Sequence, residues 1–171
     1  MSLLDATGAT ERPAGLLPRA TIFDCDGTLA DVAEFYHLFP ADLASRNLEA
    51  WDPYHAATAH AKPITWVHTL AQAEVAHGTA VIVVTARDER WRPVTEGWLT
   101  KHPIPHTELL MRAAGDRRHD AEIKAEILAD LRTRYDIQMA VDDRPSVIDF
   151  WRANGVPTVV VPGWPEHWPV R

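Results

Sequence analysis

Asp24 and Asp26 lie two residues apart and run straight into Gly27 and Thr28, while a second acidic pair, Asp142-Asp143, stands far downstream. Each cluster ends a short apolar run, Ala-Thr-Ile-Phe at 20–23 and Gln-Met-Ala-Val at 138–141. Carboxylates gathered at strand ends repel one another, so they persist together only where a cation neutralises them or protons are shared. Hard oxygen ligands of this kind point to Mg²⁺. On an extended strand Asp24 and Asp26 would face one side, but Gly27 bends the chain and can separate them, leaving one to attack and the other to shuttle protons. Taken alone, Asp-Cys-Asp-Gly-Thr reads equally well as an ordinary strand-ending turn.

Lys124 adds to the case. The apolar residues Ile127, Leu128 and Leu131 follow it at helical spacing, so Lys124 starts the stripe that faces the sheet. A lysine there can snorkel outward or pair with Asp120, four residues earlier. It can also place its ammonium among the carboxylates to hold a phosphoryl oxygen, with Asp120 orienting it.

The elements that must position these groups alternate along the chain. Strands are predicted at 20–23, 80–84, 107–111, 138–141 and 157–161, and helices at 64–77, 89–102, 121–135 and 146–154, the last closed by Gly155. That order predicts a three-layer α/β sandwich with a Rossmann-like parallel sheet, whose ligands bind beyond the carboxyl ends of the strands. Asp24/Asp26, Thr85 and Asp142/Asp143 all fall at such ends. Residues 30–62 break the rhythm with Pro40 and Pro53 among Phe35, Tyr36, Phe39, Trp51 and Tyr54, and are predicted to form a small cap over the site. Residues 1–19 read as a tail without assigned function, preceding one domain at 20–171 that carries these groups.

Composition narrows the classes. A chain of 171 residues, 46% hydrophobic and 24% charged, fits one globular domain rather than a disordered or fibrous protein. The net charge of −7 excludes a basic protein that coats polyanions by counterion release. A single cysteine, Cys25, precludes an intramolecular disulfide, and its two acidic neighbours should raise its thiol pKa. No apolar stretch approaches the ~18 residues of a membrane span, and the first residues lack a secretory pattern, so the cytoplasm is expected. His102 and His106 are four apart, but Pro103 and Pro105 prevent the helix that would align them on zinc.

Together, the Asp24-Cys25-Asp26-Gly27-Thr28 segment, Val83-Val84-Thr85, Lys124 and Val141-Asp142-Asp143 resemble, in order and placement, the motifs of the haloacid dehalogenase-like superfamily. Met111-Arg112, Gly115-Asp116, Arg118, Asp120 and Lys124, with Asp142-Asp143-Arg144 leading to a helix bearing Trp151, further resemble the phosphatase domain of bacteriophage polynucleotide kinase/3′-phosphatase. No Gly-x-x-x-x-Gly-Lys-Ser/Thr loop occurs, so 5′-kinase activity is not expected. The resemblance implies a phosphoaspartyl mechanism with Asp24 as nucleophile and Asp26 as general acid and base. It also implies Mg²⁺ on Asp24, the Asp26 carbonyl, Asp142 and Asp143, and phosphoryl contacts from Thr85 and Lys124.

Arg87, Arg112 and Arg118 are candidates for contacting a substrate phosphate or base, each weighed against an ordinary surface role, and with Arg117 they allow at most a few phosphates to be engaged. Trp51, Tyr54 and His55 can stack on a base or pack the cap. Trp91, Trp98 and Trp151 read as core, and Trp164 and Trp168 as a clasp or a partner patch. The expected activity is a Mg²⁺-dependent phosphomonoesterase acting on nucleotides or 3′-phosphate ends, without an extended polynucleotide groove or a membrane partner. A general small-metabolite phosphatase and an inactive binding module are the alternatives. The sequence sets no oligomeric state.

Overall fold

The computed structural model describes residues 16–42 and 47–165. Five parallel strands form the main sheet in the order β5-β4-β1-β6-β7. They are β1 (Arg19–Phe23), β4 (Ala80–Asp88), β5 (Glu108–Arg112), β6 (Asp136–Asp142) and β7 (Thr158–Val160). Between β1 and β4 the short strands β2 (Ala30–Asp31) and β3 (Lys62–Pro63) pair antiparallel. They form the stem of the insertion predicted at 30–62. Between the two stem strands lie 3-10 turns and the short helix α1 (Asp52–Ala57).

The strand repeat of two sorts the core into two layers. Phe23, Val81 and Val83 join Val67, Ala71, Trp98 and Leu99 on the face covered by α2 (Thr65–Ala76) and α3 (Arg92–Lys101). Ala20, Ile22, Ile82, Val84 and Ala140 join Leu128, Leu131, Val147 and Trp151 on the opposite face, beneath α4 (Asp120–Arg134) and α5 (Pro145–Ala153). Burying both faces explains why β1 and β4 read as continuous apolar runs. The chain lays β4 and β5 on one side of β1, then crosses to place β6 and β7 on the other. The reversal between β1 and β6 opens a crevice at their carboxyl ends, the general ligand position in such sheets.

Some boundaries differ from the predicted ones. β4 runs to Asp88 rather than stopping at Thr85, because a register shift between Thr85 and Asp88 lets it continue pairing with β5. The helix predicted at 89–102 opens as a 3-10 turn, Glu89–Trp91, before α3 begins at Arg92 with a proline in its first turn. Arg19 belongs to β1, and the Pro18 carbonyl accepts from the Asp136 amide at 2.8 Å, so the docked chain begins before residue 20. Residues 1–15 of the predicted tail lie outside the described residues. Gly155 closes α5 with φ of 71°, as its type predicts. Among the described residues no helix is long and apolar enough to cross a membrane.

Candidate active site

Phe23 is in register with Val141 of β6 and Val83 of β4, which brings the next residue, Asp24, level with Asp142. The Asp24 amide donates to the Val141 carbonyl at 3.0 Å and ties the two strand ends together. Asp24, Asp142 and Asp143 each offer a carboxylate oxygen, and these atoms lie within 4.8 Å of one another. Lys124, on the sheet-facing side of α4, reaches this group with only 3% of its surface exposed. Its Nζ donates to Asp24 Oδ1 at 2.6 Å and to Asp142 Oδ2 at 2.9 Å. Asp142 Oδ2 also accepts from the fully buried Trp151 Nε1 at 3.1 Å. The Thr28 hydroxyl donates to Asp143 at 3.3 Å.

Burial pushes Asp24 well above the usual carboxylate range, Lys124 opposes, and the neighbouring Asp142 and Asp143 add to the rise. Asp143 is raised to about 7, by burial first and by Asp142 second. Three carboxylates against one ammonium leave an excess of negative charge. An oxygen-only donor set with that excess suits a hard divalent cation such as Mg²⁺.

Gly27 shows why the turn after Asp26 is built as it is. Its φ is +79°, and a Cβ placed there would come within 2.1 Å of Asp143 Oδ2. Only glycine both adopts this conformation cheaply and lets the Asp143 carboxylate approach the backbone so closely.

Asp26 goes elsewhere. Arg87 grips it with Nε to Oδ2 at 2.7 Å and Nη2 to Oδ1 at 2.5 Å, while Arg87 Nη1 donates to Thr95 at 3.1 Å. The Tyr54 hydroxyl, contributed by the insertion, hydrogen-bonds Asp26 as well. Burial alone would raise Asp26, but Arg87, His55 and Tyr54 outweigh it and hold the carboxyl below its ordinary value. Thr85 is buried beside this pair and accepts from the Arg87 amide at 3.3 Å. Burial also depresses His55 to about 4 and pushes the Cys25 thiol up to about 12, so His55 is neutral at pH 7 and Cys25 carries no thiolate there.

Asp24, Asp142, Asp143, Lys124, Asp26, Arg87, Tyr54, His55 and Thr85 all border one cleft of ≈ 240 Å³. Its other side is apolar and aromatic, with Val32, Tyr36, Phe39, Leu48, Trp51 and Tyr54 from the insertion and Trp164 from the chain's far end. Phe39, Trp51 and Tyr54 hold one another edge to face at centroid distances of 4.5–6.1 Å.

Asp26 stands apart from the other three carboxylates, the separation that the bend at Gly27 allows, and Arg87 takes both of its oxygens. Several sequence expectations change against this geometry. Asp120 does not orient Lys124 and instead binds Arg112 and Arg144. Arg87 is 2% exposed and committed to Asp26, so its guanidinium braces a carboxylate where a direct substrate contact was the expectation. Arg112 spends its donors on the carbonyls of Ala86, Asp116 and Arg118 and on Asp120. Arg118 turns to Asp116 and Glu126. Tyr54 as a ligand of Asp26, and Trp151 as a ligand of Asp142, carried no local sequence signal beyond their aromatic type. Trp98 is core, with Nε1 donating to the Ala61 carbonyl at 2.8 Å, whereas Trp91 is only half-buried. Trp164 packs beneath the Arg144 guanidinium at 5.4 Å, which makes it a clasp on the body. Trp168 lies outside the described residues.

Comparison with known families now bears on this geometry. The model of the polynucleotide kinase PNKP phosphatase domain matches residues 18–163. The chain belongs to this family. It is a phosphatase domain of the haloacid dehalogenase-like type. A protein of Autographa californica nuclear polyhedrosis virus that carries the name bifunctional polynucleotide kinase/RNA ligase is 29% identical over 146 residues, covering 83% of this chain and 19% of the viral protein. A chain of the Pnkp1/Rnl/Hen1 RNA repair complex is similar at 28% identity with a TM-score of 0.69, over 92% of this chain and 46% of that one. The class C acid phosphatase of Bacillus anthracis shares the fold at 16% identity and a TM-score of 0.60, over 87% of this chain and 68% of that one. This phosphatase domain therefore spans less than half the length of the viral and RNA-repair relatives.

Proposed function

We propose that this domain is a Mg²⁺-dependent phosphomonoesterase that removes a 3′-terminal phosphate from a nucleotide or nucleic-acid end through a phosphoaspartyl intermediate. One observation carries the reading: Lys124 bridges Asp24 and Asp142 inside a carboxylate trio that faces an aromatic-walled cleft. When bound by Asp24, Asp142 and Asp143, Mg²⁺ would neutralise these charges and polarise a phosphoryl oxygen. A carboxylate oxygen of Asp24 forms the new bond to phosphorus as the bond to the sugar oxygen breaks. Asp26 gives its proton to that departing oxygen, then takes one from the water that cleaves the acyl phosphate. Arg87 and Tyr54 hold Asp26 below its ordinary value, which suits its second, basic role. For the first, Asp26 takes up a proton from solvent as the phosphoryl dianion, a like charge, enters and raises its proton affinity. Lys124 and Thr85 hold phosphoryl oxygens.

The aromatic wall favours a nucleoside over a simple sugar or glycerol phosphate, since a base has a flat face to stack there. The test is phosphate release from a nucleoside 3′-monophosphate, a 3′-phosphorylated oligonucleotide and glycerol phosphate, each with Mg²⁺ or EDTA. Turnover of the first two that is abolished by EDTA, with beryllium fluoride trapped on Asp24, is the expected result. Preferred turnover of glycerol phosphate would favour the general small-metabolite alternative, and no Mg²⁺-dependent turnover of any substrate would favour an inactive binding module.

A further inference from the structure

Five arginines line the cleft: Arg87, Arg112, Arg117, Arg118 and Arg144. Four make ion pairs within the protein: Arg87 with Asp26, Arg118 with Asp116 and Glu126, and Arg112 and Arg144 sharing Asp120. Arg117 differs. It is exposed on the cleft wall and, among the described residues, makes no hydrogen bond or ion pair.

The loop around it explains why. Arg118 takes both nearby acids, donating to Asp116 at 2.6 Å and to Glu126 at 2.9 Å, so neither is left to capture Arg117. The flanking carbonyls are pinned from below, since Arg112 Nη1 donates to Asp116 O at 3.2 Å and to Arg118 O at 2.6 Å. The loop is anchored further by Gly115 N to Asp88 Oδ2 at 2.9 Å and Asp116 N to Ala113 O at 3.0 Å. Arg117 thus stands on a braced loop, lining the cleft with no hydrogen bond or ion pair among the described residues.

We infer that Arg117 binds the internucleotide phosphate next to the terminal nucleotide, so that the substrate is a nucleic-acid 3′ end of at least two nucleotides. This rests on the 3′-phosphatase reading above and deepens it. On that reading the terminal phosphate falls to Lys124, Thr85 and a cation held by the carboxylate trio. A further anion on the same cleft has in Arg117 a guanidinium with no protein partner to displace, and arginine suits a phosphate diester well.

The test compares kcat/KM for a 3′-phosphorylated dinucleotide, the same dinucleotide with an uncharged methylphosphonate linkage, and the mononucleoside 3′-phosphate. Wild-type protein should prefer the charged dinucleotide about tenfold over both others, since one charge-assisted contact is worth roughly that factor. Arg117→Ala should bring the ratio near one, Arg117→Glu should bring it below one, and Arg117→Lys should restore part of it. The salt slope for the dinucleotide should fall by about 0.7 in Arg117→Ala. A preference that survives Arg117→Ala, or no preference in the wild type, overturns the assignment while leaving the phosphatase reading intact. If none of the three 3′-phosphorylated substrates is turned over, the phosphatase reading fails instead. Calorimetric binding of the two dinucleotides to wild type and Arg117→Glu then still decides Arg117, for which equal affinities would be fatal.

Discussion

Asp24 and Asp26 are the same residue type, two positions apart at the end of one strand, yet their surroundings push them in opposite directions. Burial and two neighbouring carboxylates raise Asp24, and the one ammonium nearby is shared with Asp142. Asp26 is buried too, but it has Arg87 to itself, through two hydrogen bonds, and lies below its usual value. The difference is one of stoichiometry. One cation among three acids leaves a site that draws another cation, whereas one cation on one acid leaves a neutral, rigid pair. The first arrangement suits metal-assisted phosphoryl chemistry and the second fixes a proton carrier in place.

The largest test of this contrast removes the nucleophile. Asp24→Asn should lower turnover by about four orders of magnitude or more, because an amide cannot form the acyl phosphate. The folded state should survive, as judged by circular dichroism. Near-normal phosphate release from this variant would end the division of roles.

Lys124→Met tests whether the shared ammonium is the trio's counter-charge. Turnover should fall about 10²–10³-fold. Without its ammonium the trio is more negative, so Mg²⁺ should raise the melting temperature more in the variant than in wild type. An equal rise in both would show that Lys124 does not balance the trio.

Arg87→Met probes the other half by stranding Asp26 without its cation. The expected cost, read by urea unfolding, is at the lower end of the ~3–5 kcal/mol for breaking a buried pair, because the Asp26 side chain keeps 20% exposure. Adding Asp26→Asn should recover most of that loss, and a double variant no more stable than Arg87→Met alone would contradict the pairing.

A smaller effect is expected on the insertion side. Trp51→Ala should raise KM about tenfold for a nucleoside 3′-phosphate and leave glycerol phosphate nearly unaffected, in keeping with ~1–3 kcal/mol per stacked base. A uniform rise for both substrates would assign Trp51 to packing of the insertion.

The smallest effect is a pH dependence of stability in the metal-free protein. Asp143 ionises near 7 when folded but near its ordinary 3.8 when unfolded, so between these values the folded state holds the extra proton and stability falls as pH rises. His55, depressed to about 4, contributes in the opposite sense up to its ordinary 6.5. Asp24, also raised, acts in the same sense as Asp143, and the contribution of His55 has ended by pH 6.5. Between pH 6.5 and 8 the melting temperature in EDTA should therefore drop by a few degrees, and Asp143→Asn should shrink the drop. A wild-type profile identical to that of Asp143→Asn would refute the raised carboxyl.

The sequence alone determined the strand–helix alternation, the parallel sheet, the placement of Asp24, Thr85 and Asp142 at its carboxyl edge, and Lys124 on the sheet-facing side of a helix. Those features rest on local signals: apolar runs, helical spacing and polar residues that stop strands. Prolines and clustered aromatics at 30–62 interrupt that rhythm and mark a segment that the strand–helix pattern does not account for. What the sequence could not settle was which charge belongs to which. Arg87 lies 61 residues from Asp26, and Lys124 lies 100 from Asp24, so no spacing rule links them. Asp120 and Lys124 looked like a pair because they are one helical turn apart, yet Arg112 and Arg144 bring planar guanidinium groups to Asp120 from neighbouring segments. The need for glycine at position 27 reads in sequence as a turn preference. Only the approach of Asp143 from β6 turns it into a steric requirement, because close contacts between distant segments arise from strand order, which no local window contains.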